Sequence, residues 1–317
     1  MRERGRKGMN WKHRHVLDLD KWERDDIQHI MDQTRSMDEL LDRPIKKVPA
    51  LRGKLVVNLF FEASTRTRVS FELAEKFLSA DVVNWSASGS STSKGETLRD
   101  TAWTLESMGA DAVVIRHGAV GSADYLARKL KKSVVFNGGD GGHAHPTQAL
   151  LDVYTAWKKF GALDGAKVAI IGDVLHSRVA RSGIIAFSKM GARVSLSGPA
   201  TLMPKSVDTL GAVYEEDPVM AVNDADIIYL LRIQRERQDE GLFPSLDEYH
   251  QLFGADKSLL EHARPDAMVM HPGPINRGVE ISSEVADGKQ SMILGQVRSG
   301  VAVRMALLYV CLGGAKQ

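Results

Sequence analysis

Cysteine is nearly absent from this chain: Cys311 is the only one in 317 residues. A single thiol excludes an intrachain disulfide and supplies no zinc cluster, and it fits a reducing, cytoplasmic setting. Charge of one sign is lacking too. The formal net charge is +2, with 42 Lys and Arg set against 40 Asp and Glu. A nucleic-acid binder usually carries a basic stripe, whereas here cations and acids interleave almost everywhere, so a small anionic ligand is favoured over a polyanion. No apolar run approaches the roughly 20 residues needed to span a bilayer, so no membrane association is expected. The basic start, MRERGRKGMNWKHRH, has no apolar segment like that of a secretory signal and reads as a tail before Met9. The strand ending at Ile171-Gly172-Asp173 lacks a GxGxxG turn, which argues against dinucleotide binding.

What is present is an alternation. Strand-like apolar runs occupy 55–61, 81–85, 111–116, 133–137, 167–172, 192–196, 226–231 and 267–270. Helical spacing of apolar residues fills 67–79, 97–108, 146–159 and 178–190. This pattern predicts an α/β chain of two domains, each a mostly parallel sheet flanked by helices and joined by long helices. The first domain is expected over 1–146 together with 297–317, and the second over 147–296. The closing run from Gln290 to Leu312 predicts a long helix with Val297, Val301, Met305 and Leu308 on one face.

Ligands of open α/β sheets bind beyond the carboxyl ends of the strands. In this chain those ends are polar, and nearly all carry arginine or histidine. Val56-Val57-Asn58-Leu59-Phe60-Phe61 empties into Glu62-Ala63-Ser64-Thr65-Arg66-Thr67-Arg68, where a helix begins. Free N–H groups and the positive end of a helix dipole point at such a loop, and arginine adds a planar fork matching phosphate or carboxylate. Ser64 or Thr65 also serves as a plain N-cap, and the two uses coexist. Arg66 in a first helical turn opposes the dipole unless an anion is present. Arg116 ends a buried run, where a charge requires a partner, whether a ligand or a structural carboxylate. His145 precedes Pro146 at a helix start, and Arg178 and Arg232 follow the strands at 167–172 and 226–231.

Three motifs in order narrow the reading: Ser64-Thr65-Arg66-Thr67-Arg68, His145-Pro146-Thr147-Gln148, and His271-Pro272-Gly273-Pro274. Together they resemble the transcarbamoylases. The stretch Ser90 to Leu98, the run Arg232-Ile233-Gln234-Arg235-Glu236-Arg237 and the continuation Ile275-Asn276-Arg277-Gly278 resemble the branch of that family that uses aspartate. Ornithine-using members carry His-Cys-Leu-Pro where this chain has His-Pro-Gly-Pro. The likeness covers about residues 10–312.

The resemblance implies one domain for carbamoyl phosphate, one for aspartate, and carbamoyl transfer with no cofactor and no metal. Ser64, Thr65, Arg66 and Thr67 would hold the phosphate. Arg116 would touch both phosphate and carbonyl oxygen, and with Thr67 and His145 it would polarise the carbamoyl oxygen. Gln148 and the backbone carbonyls of Pro272 and Gly273 would accept from the carbamoyl amide, with a cis Gly273–Pro274 bond. Arg178 would take the α-carboxylate of aspartate; Arg232 and Gln234 would take its side-chain carboxylate. Glu62 would pair with Arg178 and Arg237 to steady the closed arrangement. Ser90 and Lys94 would reach into a neighbouring subunit's site, which makes a homotrimer with shared active sites. The HPGPINRGVE version of the last motif resembles chains that associate with dihydroorotase. Two other readings compete: a transcarbamoylase for another amine, such as ornithine, and a non-catalytic assembly scaffold.

Overall fold

The computed structural model describes residues 11–86, 96–233 and 245–313. The chain forms two compact units, one of residues 1–17, 22–138 and 301–317, the other of 18–21 and 139–300. The first division falls at Gly138/Gly139, eight residues before the boundary read from the sequence, and the second at Gly300/Val301.

The first unit opens with α1 (Arg24–Leu40), then alternates β1 (Leu55–Phe60), α2 (Thr65–Phe77), β2 (Asp81–Ser86), α3 (Leu98–Ser107), β3 (Ala112–His117), α4 (Ser122–Lys129) and β4 (Val134–Asp140). The strand order is β2-β1-β3-β4, and β1 pairs in parallel with both β2 and β3. A strand covered by helices on both faces must be apolar at consecutive positions rather than at alternate ones. Ala112 to Ile115 are all buried accordingly. Val113 and Ile115 pack with Leu59, Ala123, Leu126, Leu130 and Val135 in one core cluster. The sequence pattern had not singled out α1. Its Asp26 is 4% exposed and accepts from the backbone N–H of Glu23 at 2.8 Å, closing the helix start.

The second unit holds α5 (Pro146–Phe160), β5 (Lys167–Ile171), α6 (Arg178–Lys189), β6 (Arg193–Ser197), β7 (Ala212–Tyr214), α7 (Pro218–Val222) and β8 (Ile227–Leu230). It continues through α8 (Leu246–Phe253), α9 (Lys257–Leu260), β9 (Met268–Met270), α10 (Ser283–Ala286) and the start of α11 (Ile293–Leu308), a helix whose residues from Val301 onward belong to the first unit. All four pairings of its sheet, β7-β6-β5-β8-β9, are parallel. The short β7 was not read from the sequence, since Ala212-Val213-Tyr214 is too brief to show a period. Gly172 leaves β5 with φ +128°, and a Cβ there would lie 3.0 Å from Leu231 Cβ, so the turn requires glycine.

The closing helix corrects one expectation. Met305 and Leu308 are fully buried, but Val297 is 46% exposed. Gln296 and Ser299 face inward in its place. Ser299 Oγ bonds Thr155 Oγ1 at 2.9 Å and Gln296 Nε2 donates to Asp152 at 2.8 Å, so hydrogen bonds rather than apolar area orient this end. A second expectation, that no apolar run approaches membrane-spanning length, is also corrected: Ile293–Gly313 is long and apolar enough to cross a membrane, although 61% of its apolar window is buried inside the protein, as in a core helix.

Candidate active site

In the first unit the site is built where β1 runs into α2. Ser64 takes the N-cap position with extended backbone, but its side chain makes no capping bond, and the first turn of α2 holds no acidic residue. The backbone N–H groups at a helix start have no intrahelical acceptor, and here neither Ser64 nor an acid answers them. Thr65 and Arg66 are exposed and Thr67 is buried. The arrangement suits an anion in the place a capping side chain would otherwise fill.

Arg116, at the carboxyl end of β3, braces this loop. Its Nη1 donates to Gly138 O at 3.1 Å and lies 3.5 Å from Thr67 Oγ1, and its Nε is 3.5 Å from Glu62 Oε2. The structure therefore brings Arg116 and Thr67 together. It also places Glu62 against Arg116. The expected partner Arg178 belongs to the other unit, and Arg237 lies outside the described residues. With its side chain 15% exposed, Arg116 is held largely out of water, where a guanidinium attracts an anion more strongly than at an open surface.

In the second unit His145 occupies the N-cap position of α5, followed by Pro146 at the start of the helix. His145 is 4% exposed, and its backbone N–H donates to Ser182 Oγ at 2.9 Å, which ties the turn to α6. Arg178 is the first residue of α6 and only 3% exposed. Its Nη1 donates to Gly141 O at 3.1 Å, while Ser177 caps α6 through the N–H of Ala180. The first turn of α6 holds no acidic residue, and the helix dipole there favours an anion beside this guanidinium. Arg232 follows β8 and is half-buried. Ser90, Lys94, Gln234 and Arg237 lie outside the described residues.

Gln148 and the turn at 271–274 share one buried polar network. Asp152, completely buried, accepts from Gln148 Nε2 at 3.0 Å, Gln296 Nε2 at 2.8 Å and the Tyr229 hydroxyl at 2.8 Å. Burial and the Asp152 carboxylate push the Tyr229 phenol well above its usual range. Gln296 Oε1 accepts from the backbone N–H of His271 at 2.9 Å. His271 Nδ1 accepts from the N–H of Gly273 at 2.8 Å, which leaves the ring proton on Nε2, 3.1 Å from Glu280 Oε1. Glu280 also accepts from Asn276 N–H at 2.6 Å. Pro272 and Gly273 thus sit in a turn fixed at both ends, and the Gly273–Pro274 bond is cis. Asp152, Tyr229, Gln296 and Glu280 were not among the residues read from the sequence, and His271 was read only as the head of a motif, with no role of its own. The four-residue spacing of Gln148 and Asp152 on one helix was the available signal.

Two sequence models cover nearly the whole chain. The aspartate/ornithine carbamoyltransferase carbamoyl-P binding domain matches residues 14–158, and the aspartate/ornithine carbamoyltransferase Asp/Orn binding domain matches residues 164–311. The chain belongs to the aspartate/ornithine carbamoyltransferase family. Among relatives of this family, the aspartate carbamoyltransferase catalytic subunit of Pelotomaculum thermopropionicum is 58% identical over 91% of this chain and 93% of its own length. That of Desulfotalea psychrophila is 53% identical over 96% and 95%. Solved structures of this transcarbamoylase family agree in fold. Aspartate transcarbamoylase from Trypanosoma cruzi, in complex with N-(phosphonacetyl)-L-aspartic acid, aligns with a TM-score of 0.86 at 30% identity, covering 94% of this chain and 95% of that one. Ornithine carbamoyltransferase from Pyrococcus furiosus aligns with a TM-score of 0.83 at 31% identity, covering 95% and 98%.

Proposed function

We propose that this enzyme transfers the carbamoyl group of carbamoyl phosphate to the amine of L-aspartate, giving N-carbamoyl-L-aspartate and phosphate, as a step of pyrimidine biosynthesis. The observation that carries the reading is a pair of cationic strand ends, which we read as two anion sites. One is the uncapped start of α2 with Arg66, Thr67 and Arg116; the other is the buried Arg178 with Arg232. Their chemistry answers a phosphate on one reactant and two carboxylates on the other. Ornithine offers an ammonium where aspartate offers the second carboxylate, and Arg232 would repel it. Relatives more than 50% identical that are named for aspartate point the same way.

In this mechanism Ser64, Thr65, Arg66 and Thr67 hold the phosphate, with the helix dipole adding to the arginine charge. Attack by the neutral amine drives electrons onto the carbamoyl oxygen as the tetrahedral centre forms. Thr67, Arg116 and His145 donate to that oxygen, where charge grows only in the transition state, so their stabilisation is selective. Gln148 and the carbonyls of Pro272 and Gly273 accept from the carbamoyl NH2. Arg178 takes the α-carboxylate, while Arg232 and Gln234 take the other. Loss of a proton from the attacking nitrogen and cleavage of the bond between the carbamoyl carbon and the phosphate oxygen complete the transfer, and because phosphate is a good leaving group, positioning and electrostatics suffice. The first unit serves carbamoyl phosphate and the second aspartate. Ser90 and Lys94 come from a neighbouring subunit in a cytoplasmic homotrimer, Glu62 with Arg178 and Arg237 steadies closure, and dihydroorotase is a candidate partner.

The deciding assay offers carbamoyl phosphate with aspartate, ornithine or putrescine separately and identifies the product. Carbamoyl aspartate alone is expected. Citrulline or carbamoyl putrescine, or no turnover with any amine, would overturn the reading. Dihydroorotase coeluting with the native enzyme would support that partnership, and a lone trimer at cellular concentration would refute it.

A further inference from the structure

Asp152 is an expensive residue to keep where it is. A carboxylate with no exposure to water must be met by donors on its oxygens, and an apolar side chain would serve packing at lower cost. Three of its donors are not equivalent. Tyr229 contributes a hydroxyl, but Gln148 and Gln296 contribute primary amides, each with a donor end and an acceptor end. An ionised carboxylate accepts only. It therefore compels each amide to turn its nitrogen inward and its oxygen away.

For Gln296 the consequence is explicit, since its Oε1 accepts the N–H of His271 at the head of the 271–274 turn. For Gln148 the oxygen is the end left to meet a ligand. We propose that Asp152 is a positioning residue that sets the hydrogen-bond polarity of the carbamoyl-amide pocket. It makes Gln148 present an acceptor, and through Gln296 it holds the turn whose Pro272 and Gly273 carbonyls are the other acceptors. This rests on the reading above, in which those groups receive the carbamoyl NH2. A flipped Gln148 would set one NH2 against another, replacing an attraction with two donors facing each other. Asp152 thereby selects a ligand bearing an amide over one of the same shape bearing a methyl.

Asp152→Asn tests this, because asparagine keeps the volume and supplies both a donor and an acceptor, so neither amide is compelled. Steady-state kinetics with saturating L-aspartate would give kcat and KM for carbamoyl phosphate. Inhibition constants would be measured for inorganic phosphate and for acetyl phosphate, which replaces NH2 by methyl and keeps the carbonyl and phosphate. The expected result is a fall of roughly tenfold in kcat/KM for carbamoyl phosphate, the scale of one misplaced hydrogen bond, with both inhibition constants unchanged within about twofold. Equal weakening of all three, or unchanged carbamoyl phosphate kinetics, would overturn the proposal. Tyr229→Phe keeps the ring and removes one donor from Asp152; it should show the same selectivity at a few-fold, and it decides the matter alone if Asp152→Asn does not fold. Absence of selectivity there also overturns the proposal. Failure of the wild-type enzyme to carbamoylate aspartate would instead sink the functional reading, so the two failures are distinguishable.

Discussion

Glu75 offers the sharpest physical test of the fold. It lies on the inner face of α2, fully buried, with Oε2 accepting from Asn58 Nδ2 at 2.9 Å. Asn58 Nδ2 also donates to Asn84 Oδ1 at 3.1 Å. Glu75 Oε1 and Asn58 Oδ1 are both buried without a hydrogen-bond partner. Two acceptors without a donor are costly, and a proton on the carboxyl supplies the missing donor. Burial, the dominant cause, pushes the Glu75 carboxyl from its ordinary 4.5 up to about 8.

The sign follows directly. A carboxyl whose folded pKa lies above its unfolded value binds more protons when folded, so raising the pH destabilises the protein. The penalty is absent below about pH 4.5, grows through the window to about pH 8, and is constant above it. It reaches about 3 kcal/mol at pH 7 and about 5 kcal/mol above pH 8, at 1.36 kcal/mol per pH unit. Glu75→Gln removes the titration, keeps the shape and leaves an oxygen to accept from Asn58 Nδ2. Urea unfolding of wild type and variant, monitored by circular dichroism between pH 5 and 9, would read the difference; the titrations of other groups largely cancel between the two. The variant should gain several kcal/mol over wild type between pH 5 and 9. A stability difference that stays flat across that range would refute the reasoning.

His15 should give the opposite slope: its Nδ1 accepts from the N–H of Val135 at 3.0 Å, and burial lowers its pKa from 6.5 to about 4. Stability from the neutral ring is complete above pH 6.5 and lost as the pH falls toward 4, so His15→Asn, which keeps an acceptor, should flatten the acid limb of the unfolding profile. Arg178→Lys removes a planar fork from a buried site and should raise the KM for aspartate by tenfold or more, with the KM for carbamoyl phosphate within about twofold, in steady-state kinetics. The proposed homotrimer with shared sites predicts that Lys94→Ala and Arg66→Ala enzymes, each nearly inactive, regain activity after subunit exchange, because some mixed sites combine intact residues; confirmed exchange without recovery would count against shared sites.

The elements that were legible in the sequence are those with continuous apolar patterning. The strand from Leu55 to Phe60, the strand from Ala112 to His117 and the helix from Arg178 to Lys189 fall within a residue or two of their expected bounds. Buried parallel strands write themselves as unbroken apolar runs, and polar loops at their carboxyl ends mark where function can sit. Short elements such as β7 carry too few residues for any period to register. Arg116 was legible for a related reason, since it ends a buried run that would otherwise stay neutral, whereas Arg178 was marked only by its place in a strand-end loop and by the family resemblance.

The supporting polar residues were not legible, and the cause is physical. A period of 3.6 assigns faces by hydrophobicity, so it put Val297 inside and gave Gln296 no role. The protein does the reverse, because Gln296 satisfies Asp152 and the backbone of His271 at once. One buried carboxylate left short of donors costs more than one exposed valine loses. Helix orientation near a site is thus set by the dearest unsatisfied group, not by the largest apolar face. The same rule predicts where else such a reading fails: at positions where a helix that looks apolar carries an isolated amide or hydroxyl opposite a buried acid, as Thr155 and Ser299 do beside Asp152 and Gln296.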